Sequence, residues 1–169
     1  TRSVKIFIPE GYERDSIKNY PLAIVLDEEF LFDAYVGNSI LFSKKDKAPK
    51  QIVVGISMED SKQNDISFDR NSGRLTTSSN NFYEFIRDEV LFYMESNYRT
   101  SPFVSLVGYG YSANLITHFL QENAAFINSF ICINPVSYTH LRAHETSLHL
   151  VCRLLLEKIQ CNVSHVVGR

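Results

Sequence analysis

Apolar residues form short runs in the first 135 residues, and the segments between these runs repeat apolar positions every three or four residues. Four runs are nearly continuously apolar, as strands covered by helices on both faces of a sheet require. They span residues 22–26, 52–56, 104–107 and 129–133. The spacing typical of amphipathic helices occurs in residues 30–43, 80–98 and 112–122. The pattern predicts an α/β domain with a mostly parallel, doubly wound sheet.

Two local patterns add detail to this prediction. Residues 3–8 alternate polar and apolar side chains and stop at Pro9, which predicts a half-exposed strand at an antiparallel edge of the sheet. The helix predicted at residues 80–98 carries a stripe of mostly aromatic residues at spacings of three and four, which we expect to pack in the core. The stripe consists of Phe82, Phe85, Ile86, Glu89 and Phe92 or Tyr93.

The composition of the chain changes near Pro135. All 12 Phe and 8 of the 9 Tyr lie at or before Phe130, whereas four of the five His follow Pro135. Residues 136–158 resemble the translation of a transposase-type sequencing adapter in one reading frame. Residues 147–149 fall at the position where such an adapter carries its variable sample index. We therefore expect residues 1–135 to be a partial domain and residues 136–169 to be a non-native tail.

The tail has an alternative interpretation as a natural amphipathic helix. Leu150, Leu154 and Leu155 would share one face of such a helix. His140 and His144 are four residues apart and could then chelate a metal ion. An adapter-derived segment would offer no ligands, so we predict no metal site.

Charge and composition exclude several classes of function. The chain of 169 residues has a formal net charge of −2, and its first 135 residues contain 13 Lys and Arg against 17 Asp and Glu. The sequence has no block of basic residues that would predict nucleic-acid binding. It also has no apolar run long enough to span a membrane. The three cysteines have neither a disulfide framework nor a metal-ligand spacing. We predict no cofactor.

Ligands of doubly wound sheets bind at the carboxyl ends of the strands, where three segments stand out. The three carboxyl groups of residues 27–29 follow a strand and could bind a cation or act as an acid–base pair, or they could cap the next helix. The segment 58–79 lacks a clear period, which is typical of a loop that borders a site. In it, Arg70 could bind a substrate carboxylate or phosphate, or form a structural ion pair with Asp69.

A third segment, residues 104–115, has the layout of a nucleophile elbow, in which a strand enters a tight turn and then a helix. The best-fitting centre of the turn is Gly110, with the small residues Gly108 and Ser112 two positions before and after it. Glycine has no side chain with which to attack a carbonyl carbon. The sequence therefore predicts the turn without its nucleophile.

Residues 2–135 resemble the N-terminal half of an esterase family of α/β-hydrolases that includes S-formylglutathione hydrolases, siderophore esterases and mycolyltransferases. The resemblance rests on several short segments that keep the family's order along the chain. They are residues 8–12 (IPEGY), 20–27 (YPLAIVLD), 54–56 (VGI), 85–90 (FIRDEV), 107–108 (VG) and 131–135 (ICINP). The resemblance implies a truncated α/β-hydrolase fold with an antiparallel N-terminal edge strand.

The resemblance also implies a role for each residue of the elbow. Gly110 replaces the nucleophilic serine, Glu28 replaces a glycine of the oxyanion loop, and the backbone N–H of Tyr111 would be the other oxyanion donor. The family's catalytic Asp and His would follow strands beyond Pro135. We therefore expect an inactive esterase relative that could still bind an ester or acyl small molecule.

Other interpretations of the same segment stay open. Ser112 would be the nucleophile if the elbow were shifted by two residues, or it could be the N-cap of the following helix. The spacing of Gly108, Gly110 and Ala113 also fits a dinucleotide-binding fingerprint. His118 lies too far along the helix from the turn for a catalytic base, and we expect it to be a packed or surface residue.

Overall fold

The computed structural model describes residues 2–59, 61–67, 69, 75–121 and 124–135, all of which belong to the first of two compact units of the chain. The predicted tail at 136–169, with His140 and His144, and Arg70 lie outside the described residues. The strands are β1 Val4–Phe7, β2 Tyr20–Leu26, β3 Ile52–Ile56, β4 Thr100–Tyr109 and β5 Ser129–Ile133. The helices are α1 Glu28–Lys44, α2 Lys62–Asp65, α3 Thr77–Glu84, a π-helical segment Phe85–Leu91, α4 Phe92–Asn97 and α5 Tyr111–Gln121.

The five strands form one sheet in the order β1-β3-β2-β4-β5. Strands β2 to β5 pair in parallel, and β1 pairs antiparallel with β3 at one edge. This confirms the predicted α/β fold with its antiparallel edge strand. Strand β4 begins at Thr100, four residues before the predicted start, and its pairing with β2 is irregular between Tyr20 and Leu22.

Apolar side chains cover both faces of the sheet, as the continuously apolar strands predict. In β2, Leu22, Ile24 and Leu26 belong to one core cluster with α5 and the helical stretch of residues 77–97. Ala23 and Val25 belong to a second cluster on the opposite face, which contains residues of α1. Successive side chains of a strand point to opposite faces, so β2 joins the two clusters at the centre of the domain.

The predicted aromatic stripe is partly wrong, because the helix of residues 77–97 contains a π-helical segment. Glu89, Phe92 and Tyr93 are exposed, although the spacing of three and four predicted Glu89 and one of the two aromatic residues in the core. A π-helical turn contains more residues than an α-helical turn, so the segment Phe85–Leu91 rotates the buried face. Buried side chains recur every four residues, at Phe82, Ile86, Val90 and Met94, and Leu91 is buried next to Val90.

A glycine-to-alanine pair tests the close contact between β4 and α5. A Cβ atom on Gly108 would lie 2.7 Å from Ile116 Cδ1 and 3.1 Å from the backbone carbon of Ser112. We expect Gly108→Ala to lower the free energy of unfolding by about 1 to 3 kcal/mol, because the backbone of α5 must move. Gly37 lies in α1 with open space around it. We expect Gly37→Ala to raise the free energy of unfolding by about 0.5 to 1 kcal/mol, because alanine favours the helix more than glycine does. Urea unfolding measures both changes. A Gly108→Ala variant as stable as the native chain would contradict the close contact between β4 and α5.

Candidate active site

The turn between β4 and α5 is centred on Gly110. Its φ of 62° lies in the left-handed region, and its backbone N–H donates a hydrogen bond to the carbonyl of Ile133 at 2.9 Å. Strand β4 ends at Tyr109 and α5 begins at Tyr111, so the turn is a single residue long. Left-handed backbone is unstrained for glycine, and a strained conformation is typical of the nucleophile position in an elbow.

Ser112 is buried inside the first turn of α5, with 0% of its surface exposed. Its hydroxyl donates a hydrogen bond to Asp27 Oδ2 at 2.5 Å and lies 3.8 Å from Met58 Sδ. The hydroxyl thus contacts the loops after β2 and β3. The N-cap interpretation of Ser112 is therefore wrong. An N-cap serine precedes the helix and accepts a hydrogen bond from a backbone N–H, whereas Ser112 lies inside the helix and donates its hydroxyl.

Asp27 connects this serine to the loop after β3. Its residue surface is 4% exposed, and Lys62 Nζ lies 2.5 Å from the second carboxylate oxygen, Oδ1. The residue adopts left-handed backbone, with φ 59°, and its side chain makes no capping hydrogen bond to α1. The Asp27 carboxylate therefore contacts a buried hydroxyl and an ammonium group. We call Ser112, Asp27 and Lys62 the polar triplet.

The carboxylates of the two glutamates after Asp27 have different tertiary partners. Glu28 forms an ion pair with Lys5 of β1, with Oε1 and Nζ 3.4 Å apart. Glu29 Oε1 accepts hydrogen bonds from the Ser57 hydroxyl and from the backbone N–H groups of Met58 and Glu59. The helix-capping prediction is thus confirmed in part: Glu28 and Glu29 lie in the first turn of α1, where carboxylates stabilise the helix dipole, whereas Asp27 makes no capping hydrogen bond.

The hydrogen bonds of Glu29 determine its charge state. Burial alone raises the pKa of this carboxyl group, but the hydrogen bonds from the Ser57 hydroxyl and the backbone outweigh it and hold the pKa below its ordinary value of 4.5. Because these donors stabilise the ionised form, Glu29 stabilises the fold above the ordinary pKa. That contribution is lost as the pH falls through the lowered pKa.

A cleft of about 350 Å³ lies beside the turn, at the carboxyl ends of β2, β3 and β4. Its walls include an aromatic pair, Phe30 and Tyr109, whose ring centroids are 5.2 Å apart. The remaining lining residues are polar groups and one methionine. They are Asp27, Glu29, Met58, Glu59 and Lys62. The cleft therefore lies where ligands bind in open α/β sheets.

The structure separates some residues that the sequence analysis proposed for the site. Glu28 and Tyr111 do not line this cleft, although Tyr111 follows the turn directly and is exposed. His118 lines a different cavity, together with Thr76, Asn80 and Tyr83. Among the described residues, no three His, Cys, Asp or Glu side chains form a group that could hold a metal ion.

Two described parts of the segment after β3 are helical where its sequence predicts no regular structure. It contains the short helix α2, and α3 begins at Thr77, three residues before the predicted helix. The buried Asp65 accepts two hydrogen bonds from the Arg2 guanidinium, at 2.5 Å each, and one from the Ser61 hydroxyl. This cluster fixes α2 to the N-terminal segment, which positions Lys62 beside the cleft.

Sequence reasoning missed the cleft residues Phe30, Glu59 and Lys62. Phe30 was assigned to the apolar pattern of α1, yet 67% of its surface is exposed. Glu59 and Lys62 belong to a segment without periodicity, so no local pattern identified them. Their location after a parallel strand was the available signal, since such loops meet at one edge of the sheet.

Among the described residues, no helix is both long enough and apolar enough to cross a membrane.

No protein-family model and no curated protein matches the sequence. Solved structures do match it. An uncharacterised protein from Capnocytophaga ochracea is 26% identical, with a TM-score of 0.73, over 80% of this chain and 37% of that one. An IroE-like serine hydrolase from Shewanella oneidensis is 25% identical, with a TM-score of 0.67, over 76% of this chain and 44% of that one.

A siderophore hydrolase from Aspergillus nidulans is 16% identical, with a TM-score of 0.63, over 75% of this chain and 51% of that one. The chain thus spans about two fifths to one half of the length of these structures. Their TM-scores of 0.63 to 0.73 show that the described part of the chain shares their fold. The described part of the chain has the α/β-hydrolase fold of esterase-like serine hydrolases.

Proposed function

We propose that this chain is an esterase-like domain that binds a small ester or acyl ligand beside the elbow without cleaving it through a serine nucleophile. One observation carries the proposal. The left-handed turn holds Gly110, and the hydroxyl of the next serine along the chain, Ser112, is fully buried and donates to Asp27. Nucleophilic attack needs a side chain within reach of the carbonyl carbon, and neither residue supplies one.

The shifted elbow, with Ser112 as the nucleophile, is less well supported. It would require β4 to continue two residues beyond Tyr109 and the hydroxyl to leave Asp27. A buried hydroxyl that breaks its hydrogen bond loses about 1 to 3 kcal/mol. Moving the hydroxyl would also leave the Asp27 carboxylate with Lys62 alone, so the polar triplet favours a structural role for Ser112.

Ligand binding is supported by the position and chemistry of the cleft. It opens at the carboxyl ends of three parallel strands and combines aromatic rings with charged groups. Ferulic acid esterases and siderophore hydrolases are among the structures that have this fold. An ester or acyl compound is therefore the class of ligand that fits best.

Covalent labelling tests the absence of a serine nucleophile. We expect that treatment with a fluorophosphonate probe leaves the intact mass of the chain unchanged, while an active serine esterase in the same tube gains one adduct. Ser112→Ala is the matched control. A single adduct on the native chain that maps to Ser112 and is lost in Ser112→Ala would refute the proposal.

A further inference from the structure

We infer that the cleft beside Gly110 selects ligands that carry an organic ammonium group. The inference rests on the proposed function, because it takes this cleft as the ligand site and specifies the chemistry of the ligand. It follows from two features of the walls that are independent of each other. One is an exposed aromatic pair, and the other is an excess of carboxylates.

The aromatic pair presents ring surface at the cleft. Phe30 is 67% exposed and Tyr109 is 37% exposed, and their rings are tilted by 48°. One ring lies in the first turn of α1 and the other at the last residue of β4, so two rigid elements hold them. The face of an aromatic ring carries negative partial charge and attracts cations that lose some of their water.

The formal charge of the cleft lining is negative, like the partial charge on the faces of the aromatic rings. Three carboxylates, those of Asp27, Glu29 and Glu59, and one ammonium group, that of Lys62, give the lining a net charge of −2. Lys62 is 2.5 Å from Asp27, so its charge is already compensated by a buried carboxylate. A cationic ligand is attracted by the remaining two carboxylates, while an anionic ligand would be repelled by them.

The two carboxylates have different roles toward such a ligand. Glu29 is held by three hydrogen bonds from the loop after β3, so it acts as a fixed charge. Glu59 is an exposed residue on the same loop, and its carboxylate can adjust to a ligand. Together with the rings they form a surface for a bulky, weakly hydrated ammonium group, such as a quaternary ammonium.

Two ligands of equal shape test the inference. Acetylcholine carries the quaternary ammonium, and 3,3-dimethylbutyl acetate has a carbon atom in place of the nitrogen. We expect saturation-transfer NMR titrations of the full chain to give at least about fivefold tighter binding of acetylcholine. Equal affinity for the two esters, or no saturable binding of acetylcholine in the millimolar range, would overturn the inference.

Variants assign the preference to the cleft. Phe30→Leu keeps an apolar side chain but removes the ring, and we expect it to weaken acetylcholine binding about two- to fivefold. Glu59→Gln should weaken acetylcholine and leave the neutral ester unchanged. Phe92→Leu and Glu95→Gln, at exposed positions of α4, are the matched controls and should change neither ligand. Effects of equal size in the controls would contradict the assignment.

The same NMR titrations separate this inference from the proposed function, because the spectra show both binding and hydrolysis of the esters. If acetylcholine is bound and also hydrolysed in a way that depends on Ser112, the proposed absence of catalysis fails while the cation preference stands. If no ester is hydrolysed and the neutral ester binds as well as acetylcholine, the cation preference fails and the proposed function stands.

Discussion

Asp65→Ala is expected to lower the free energy of unfolding by about 3 kcal/mol, because it breaks a buried ion pair and leaves the Arg2 guanidinium without its carboxylate partner. Asp65 is 1% exposed and accepts two hydrogen bonds from Arg2 and one from Ser61. The Arg2 side chain is partly exposed and can turn toward water. We therefore expect a loss of unfolding free energy at the low end of the range for broken buried ion pairs. Urea unfolding followed by circular dichroism measures the change.

Asp88→Ala is the matched control for this variant. Asp88 forms a similar pair with Arg87, with Nε and Oδ1 2.6 Å apart, but both side chains are largely exposed. Exposed ion pairs contribute little to stability, so we expect no measurable change in the unfolding midpoint. Similar losses for Asp65→Ala and Asp88→Ala would contradict the anchoring role of the Arg2–Asp65 pair.

Asp27→Ala is expected to lower the free energy of unfolding by about 2 to 4 kcal/mol. It removes the acceptor of the buried Ser112 hydroxyl and the partner of Lys62. It also introduces alanine at a left-handed backbone position. Asp27→Asn keeps an acceptor for Ser112 and tolerates this backbone, so we expect a smaller loss from it.

A double-mutant cycle isolates the bond between Asp27 and Ser112. If the hydroxyl serves the fold, Ser112→Ala destabilises the native chain but costs much less in the Asp27→Ala background, with a coupling of about 1 kcal/mol or more. Additive losses from the two substitutions would mean that the hydrogen bond contributes nothing to stability.

The strands of the sheet were predictable from the sequence because each follows from a strong, local pattern. The continuous apolar runs predicted the bounds of β3 and β5 correctly, and the alternation in residues 3–8 identified the antiparallel edge strand. The helix of residues 77–97 was predicted less well, because a π-helical segment changes the number of residues per turn. No local preference in the sequence signals that change.

The site was predictable only where it depends on short-range spacing. Gly108 and Gly110 were identified from the close contact and the turn that an elbow requires. The partners of Asp27 were not, since Lys62 and Ser112 lie 35 and 85 residues away along the chain. Such contacts follow from the packing of α2 and α5 against the residue that precedes α1, and patterns in a single sequence do not encode that packing.

Hydrolysis of p-nitrophenyl acetate by the native chain and by Ser112→Ala tests the central claim most directly, with the folded fraction of both matched beforehand. We predict that the native chain gives no turnover above a protein blank and that Ser112→Ala has the same rate. Loss of a serine nucleophile lowers kcat by about a millionfold, so a working Ser112 could not escape detection. Turnover by the native chain that disappears in Ser112→Ala would contradict the account.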